Sequence, residues 1–233
     1  MTVSSSPAAE FRAGAAASSA PTLALVPFAL LLGGLAAAKG FTPLETALMS
    51  ALVFAGSAQF AAIDTWTDPA PWLALAGLTL VVNLRHVLMS ASVLRRMERF
   101  PRAGRALAML FLADEVWAFA EARAARQPLT PAYFAGLALP FYACWVAAGA
   151  AGNLLGQWIA DPRAWGFDFA FVAIFIVLIR GFRAQPGFAT ALIASAAAAT
   201  AIDWVHPGPA SIIGGTIAGI AAAAIAHKPE TAQ

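Results

Sequence analysis

Charge is what this sequence has least of. Only 11% of its residues are Asp, Glu, Lys or Arg, whereas a soluble domain carries roughly 25%. With 61% of the 233 residues hydrophobic and a mean hydropathy of +0.74, so few charges could not keep the apolar surface in water. Lipid must therefore solvate part of it, and the length suits one membrane domain without a second, soluble one. The single cysteine, Cys144, excludes an internal disulfide and a cysteine-rich zinc site. A net charge of +2 is too weak to argue for nucleic acid. There is no Walker loop, dinucleotide fingerprint or metal-ligand set, so no cofactor or metal is expected.

What the chain does contain is long apolar runs. Eight are visible: 22–38, 46–63, 72–94, 106–120, 133–158, 167–179, 188–205 and 210–226, separated by clusters of Pro and Gly. A bilayer core needs about 20 apolar residues per helix. The chain therefore reads as an all-α, polytopic integral membrane helical bundle. Residues 1–21, rich in Ala and Ser, read as a disordered tail, 22–227 as one transmembrane domain and 228–233 as a short C-terminal tail. The first run could pass for a signal peptide ending at Ala36-Ala37-Ala38. The long stretch before it has only Arg12 as a basic residue, and the chain beyond is itself membrane-embedded, so a first spanning helix is the simpler reading.

Loop charge gives an orientation. The segment 95–105 holds five arginines and one glutamate, and Arg123 with Arg126 marks a second basic loop and Arg180 with Arg183 a third. Asp64, Asp68, Asp161, Asp168 and Asp203 fall in loops of the opposite kind. Both flanks of 106–120 are thus basic, the run is only about 22 Å long at 1.5 Å per residue, and Asp114 and Glu115 lie near its centre. A re-entrant or broken segment entering from the cytoplasm reconciles these facts. Run 46–63, interrupted by Gly56-Ser57 and holding Gln59, is expected to do the same from outside. The remainder gives about six full spans, with both termini cytoplasmic.

Three polar clusters lie inside these runs. Thr79, Asn83, His86 and Ser90, spaced i, i+4, i+7 and i+11, form one helical stripe, with Arg85 about 100° away. An intramembrane charge costs a few kcal/mol and faces a cavity or a partner. Arg85 could meet a substrate carboxylate, or be locked to an acid elsewhere, or snorkel towards the basic loop. In Asp114-Glu115, desolvation and mutual repulsion favour a proton on one carboxyl. The pair could couple protons, recognise an ammonium, or simply bridge to Arg85. In the third cluster, Gly56 and Ser57 allow either close packing or a helix break whose free N–H groups would attract a carboxylate. Gly152…Gly156 and Gly215…Gly219 match GxxxG packing faces, for a partner or a neighbouring helix of the same chain.

At these residues the sequence resembles a known family. Phe54-Ala55-Gly56-Ser57-Ala58-Gln59-Phe60, Asn83-Leu84-Arg85-His86 followed by Met89-Ser90-Ala91-Ser92, and Asp114-Glu115, together with Pro27-Phe28 and Glu45…Met49-Ser50, are similar to the AzlC family of branched-chain amino acid permeases. The resemblance is good from about residue 23 to 120. It implies export of valine, leucine, isoleucine and methionine from the bacterial cytoplasm, driven by the proton gradient, with a small AzlD-type membrane subunit as partner. The expected substrate or coupling residues are Gly56, Ser57, Gln59, Asn83, Arg85, His86, Asp114 and Glu115. Two other classes compete: a non-transporting scaffold subunit, and an intramembrane serine hydrolase using Ser57 and His86. The latter would leave Arg85 and Asp114-Glu115 without a role, so an enzyme is not expected.

Overall fold

The computed structural model describes residues 6–156, 187–206 and 209–226, together with 158, 176, 179, 180 and 183. Every regular element among them is a helix: α1 (Pro7–Ala38), α2 (Pro43–Val53), α3 (Gly56–Thr65), α4 (Trp72–Leu94), α5 (Arg102–Leu110), α6 (Asp114–Ala124), α7 (Pro131–Gly156), α8 (Phe188–Val205) and α9 (Pro209–Ala226). Four of these, α1, α4, α7 and α8, are long and apolar enough to cross a membrane. The expected span at 210–226 is helical but shorter, and the expected span at 167–179 and the tail at 228–233 lie essentially outside the described residues.

The N-terminal expectation needs correction. Residues 7–21 are not a tail but the first turns of α1, a 32-residue helix that continues through Pro21 and Pro27. Ser6 caps it, its hydroxyl accepting from the Ala9 amide at 3.3 Å, and Pro7 occupies the first turn where no amide donor is needed. Alanine, the main component of that stretch, is the best helix former. Tertiary contacts supply the rest. Arg123 donates to both carboxylate oxygens of Glu10 at 3.0 and 2.9 Å, and the Thr130 hydroxyl bonds Glu10 at 3.0 Å. The same guanidinium lies 4.4 Å over the Tyr133 ring.

Small residues fuse α1 to α7. A Cβ on Gly14 would stand 2.2 Å from the Tyr133 carbonyl oxygen, and one on Gly136 2.1 Å from that of Phe11. Further along, Gly33 would meet the Gly149 oxygen at 2.1 Å and Gly152 the Leu30 oxygen at 2.1 Å. Contacts advance together along both helices, so α1 and α7 run parallel with their backbones touching. Gly152…Gly156 is thereby consumed within the chain, Gly156 packing on Gly34. Gly215…Gly219 is used likewise: Gly215 meets Ser195 and Ala199, and Gly219 meets Ala191 and Ser195, which makes α8 and α9 antiparallel.

Both expected interruptions are present, as pairs of short helices. In the first, α2 opens with a capping box between Thr42 and Glu45 and ends at Phe54, in the left-handed region at φ 41°. Phenylalanine is held in this unusual conformation by its ring, which packs edge-on against Phe141 and Tyr142. The Tyr142 hydroxyl donates to the Ala51 carbonyl at 3.1 Å, satisfying one of the free acceptors at the end of α2. The break thus falls at Phe54-Ala55, with Gly56 as the first residue of α3 rather than the interruption itself.

Candidate functional site

Each pair of short helices is a hairpin whose ends lie at one end of the bundle. For α2–α3, Lys39 before the hairpin donates through Nζ to the carbonyls of Asp64 and Trp66 after it, both at 3.0 Å, and Phe41 packs on Trp66 with centroids 4.7 Å apart. For α5–α6, Phe100 just before α5 packs on Phe134 at the start of α7, 6.1 Å between centroids. Glu121 near the end of α6 accepts from Ser92 at the end of α4 and, at 3.2 Å, from Arg96 just past it. The first hairpin enters where α1 ends and the second where α1 begins. With 9 to 11 residues per arm, each reaches about 14–16 Å, roughly half of a 30 Å hydrocarbon core.

Their tips meet at the middle of α4. Arg85 Nη1 lies 2.8 Å from Asp114 Oδ2, and its Nη2 donates to the Ser57 hydroxyl oxygen. One side chain thereby joins the two breaks. Arg85 and Asp114 retain 37% and 41% exposure because they open onto a cavity of about 550 Å³. Six of the residues expected from sequence line it: Gly56, Ser57, Arg85, His86, Asp114 and Glu115.

Two helix N-termini border the same cavity. α3 begins after Ala55 and α6 after Ala113, and neither has a side-chain cap. Intrahelical bonding starts only at Gln59 N–H to the Ala55 carbonyl, 2.9 Å, and Trp117 N–H to the Ala113 carbonyl, 2.8 Å. The preceding amides therefore have no partner within their helices. Their donors and the helix dipoles favour negative charge. Asp114 and Glu115 occupy the first turn of α6, whereas the first turn of α3 has no acid of its own. That leaves the Gly56 end of the cavity with Arg85, a serine hydroxyl and free amides, an arrangement suited to an external carboxylate.

Two expected site residues lie elsewhere. Gln59, 1% exposed, is no cavity residue: its amide nitrogen donates to Ser50 Oγ at 3.1 Å, and its oxygen accepts from Trp145 Nε1 at 2.9 Å. It ties the hairpin to α7 behind the tip. Asn83 is on α4 beside Arg85, with its side-chain oxygen buried and without a hydrogen-bond partner, but it does not line the cavity. Conversely, the sequence did not single out Phe54, Phe60, Phe141 and Trp145 as lining, or Pro21, Leu25 and Phe28 of α1. Apolar residues facing a cavity look the same in sequence as those facing lipid; only the proximity of Pro27-Phe28 to the family motifs could have hinted at α1. Among the described residues no group of three or more His, Cys, Asp or Glu could hold a metal.

The fold and site define a helical membrane protein with a polar centre at the junction of two opposed hairpins. The chain belongs to the AzlC family: the family model, described as AzlC protein, matches residues 21–159, which include both hairpins, α4 and α7. A membrane protein of Archaeoglobus fulgidus is 32% identical over 75% of this chain and 76% of its own length. The inner membrane protein YgaZ of Escherichia coli K12 is 28% identical over 87% of this chain and 85% of its own. A membrane protein of Helicobacter pylori is 28% identical over 63% and 64%. No solved structure matches the chain. The family is one of transporter-type membrane proteins.

Proposed function

We propose that the chain is a secondary transporter that exports branched-chain and related neutral amino acids, namely valine, leucine, isoleucine and methionine, at the expense of the proton gradient. The observation that carries this reading is the Arg85–Asp114 pair opening onto the cavity at the crossing of the hairpin tips. A zwitterionic amino acid complements both halves of that pair. Its carboxylate takes Arg85, Ser57 and the free amides of α3, and its ammonium takes Asp114 or Glu115. The apolar walls receive an aliphatic side chain. The acid that does not hold the ammonium is available for a proton. The aliphatic substrates and the outward direction rest on the resemblance to the AzlC permeases.

An AzlD-type small subunit is part of the proposal. The outer face of α4, with Leu80, Val87 and Leu88 exposed, and α8, with no buried residue, leave apolar surface for a membrane partner as well as for lipid. We place the chain in the cytoplasmic membrane with its arginine-rich loop and both termini inside. The Glu10–Arg123 contact supports this for the N-terminus, since it brings the start of α1 to the basic end of the bundle. The hydrolase reading loses ground because the partner of the Ser57 hydroxyl is Arg85, which cannot accept a proton.

The test is efflux from cells loaded with a valine- or leucine-containing dipeptide, with and without an AzlD-type small membrane protein. Faster efflux that collapses with a proton uncoupler is expected. Unchanged efflux of every aliphatic amino acid and methionine would remove this substrate class.

A further inference from the structure

We infer that Trp145 sets the upper size of the side chain that the cavity accepts, an inference that rests on reading this cavity as the amino-acid site. Trp145, on α7, is 7% exposed, and its indole forms part of the cavity wall. The ring is fixed from two sides. Its Nε1–H donates to Gln59 Oε1 at 2.9 Å, and Gln59 is held in turn by Ser50 at 3.1 Å. Gln59 and Ser50 are 1% and 0% exposed, so water cannot replace these bonds if the ring turns. The far edge of the same ring presses on the hairpin tip: a Cβ on Gly56 would stand 3.0 Å from Cη2 and 3.2 Å from Cζ2.

A wall that can move adapts to a larger ligand, whereas a fixed wall rejects it by overpacking. Phe28, Phe54, Phe60 and Phe141 also line the cavity, but phenylalanine has no polar atom by which to be anchored. Trp145 is anchored through its nitrogen and stands beside Gly56, the end of the cavity suited to a carboxylate. It is therefore next to the first carbons of a bound side chain. Its replacement by phenylalanine removes one ring and the bond to Gln59, making room there. A methyl group on Gly56, itself a lining residue, meets that fixed edge at 3.0–3.2 Å and narrows the cavity beside the ring.

The test is transport in proteoliposomes holding the chain and its small membrane subunit, with alanine, valine, leucine and phenylalanine measured in each preparation. Ratios between substrates cancel differences in protein yield. Trp145→Phe is expected to raise the phenylalanine-to-valine ratio about tenfold or more, tenfold being the lower end of the discrimination that one methylene gives in an apolar pocket. Gly56→Ala is expected to lower the leucine-to-alanine ratio several-fold. An unchanged phenylalanine-to-valine ratio in an active Trp145→Phe protein would overturn the inference. If Trp145→Phe does not reach the membrane, Gly56→Ala decides alone, and an unchanged leucine-to-alanine ratio overturns it. A wild-type protein that moves none of the four removes the proposed function and this inference with it. Wild-type transport with size-blind variants removes the inference only.

Discussion

Arg85, at the middle of α4, reaches Asp114 at the first residue of α6 across 2.8 Å, and with its other terminal nitrogen it holds Ser57 at the second residue of α3. A single guanidinium thus joins two helix breaks that enter from opposite ends of the bundle. Because the pair borders a cavity instead of being sealed in protein, a ligand with one positive and one negative end can displace it. The first prediction follows from that relationship. Arg85→Gln removes the cation that meets the substrate carboxylate, and a hydrogen bond to a charged group contributes about 1.5–3 kcal/mol. Substrate affinity should fall by roughly tenfold or more. The neutral double variant Arg85→Gln/Asp114→Asn should reach the membrane as well as wild type yet remain inactive; a transport-competent double variant would show that the pair is only structural.

A second prediction concerns the N-terminus. Glu10 and Arg123 are 10% and 17% exposed and hydrogen-bonded, and removing one partner of such a pair costs about 3–5 kcal/mol. Deleting residues 1–12, or the single change Glu10→Ala, should lower the melting temperature of the detergent-solubilised protein by several degrees. A disordered tail could be removed without effect.

The α1–α7 seam gives a third. Gly33→Ala and Gly152→Ala each place a methyl about 2.1 Å from a carbonyl oxygen of the facing helix, where no flexible side chain can yield, so the destabilisation should reach or exceed the ~1–3 kcal/mol typical of overpacking. Gly77→Ala on α4, whose new Cβ would find only Ile213 at 3.7 Å, should be neutral or slightly stabilising. Thermal shifts of the three variants in one detergent make the comparison.

A fourth tests the hairpins as membrane elements. In a Cys144→Ser background, cysteines introduced at positions 98 and 124 should both be labelled only from the cytoplasm, and one at position 68 only from outside. External labelling at both 98 and 124 would reject the second hairpin and the orientation together.

Much of this architecture was legible because polar residues inside apolar runs are expensive and therefore informative. Asp114-Glu115 between two basic flanks was enough to mark α5–α6 as a broken segment, and Gly56-Ser57 marked α2–α3. The break itself moved to Phe54-Ala55, because a left-handed phenylalanine depends on the rings of Phe141 and Tyr142, which lie far away in sequence. Gln59 illustrates a different limit. A buried amide looks alike whether it faces a ligand or, as here, Ser50 and Trp145. The start of α1 was misread for a third reason: Ala- and Ser-rich composition is compatible with disorder, and the contacts that stabilise the helix, Glu10 with Arg123 and Gly14 against Tyr133, are made with residues over a hundred positions away. The lining phenylalanines and the α1 residues that face the cavity, Pro21, Leu25 and Phe28, carried no polar marker.

The central claim is that Arg85 is the carboxylate anchor of an amino-acid site. The most direct measurement is counterflow of radiolabelled L-leucine into proteoliposomes preloaded with unlabelled leucine and holding the chain with the proposed AzlD-type subunit. Transient accumulation by the wild-type protein, competition by valine and isoleucine, and background uptake by Arg85→Gln are expected. Equal accumulation by wild type and Arg85→Gln, or none by wild type with any aliphatic amino acid, would contradict it.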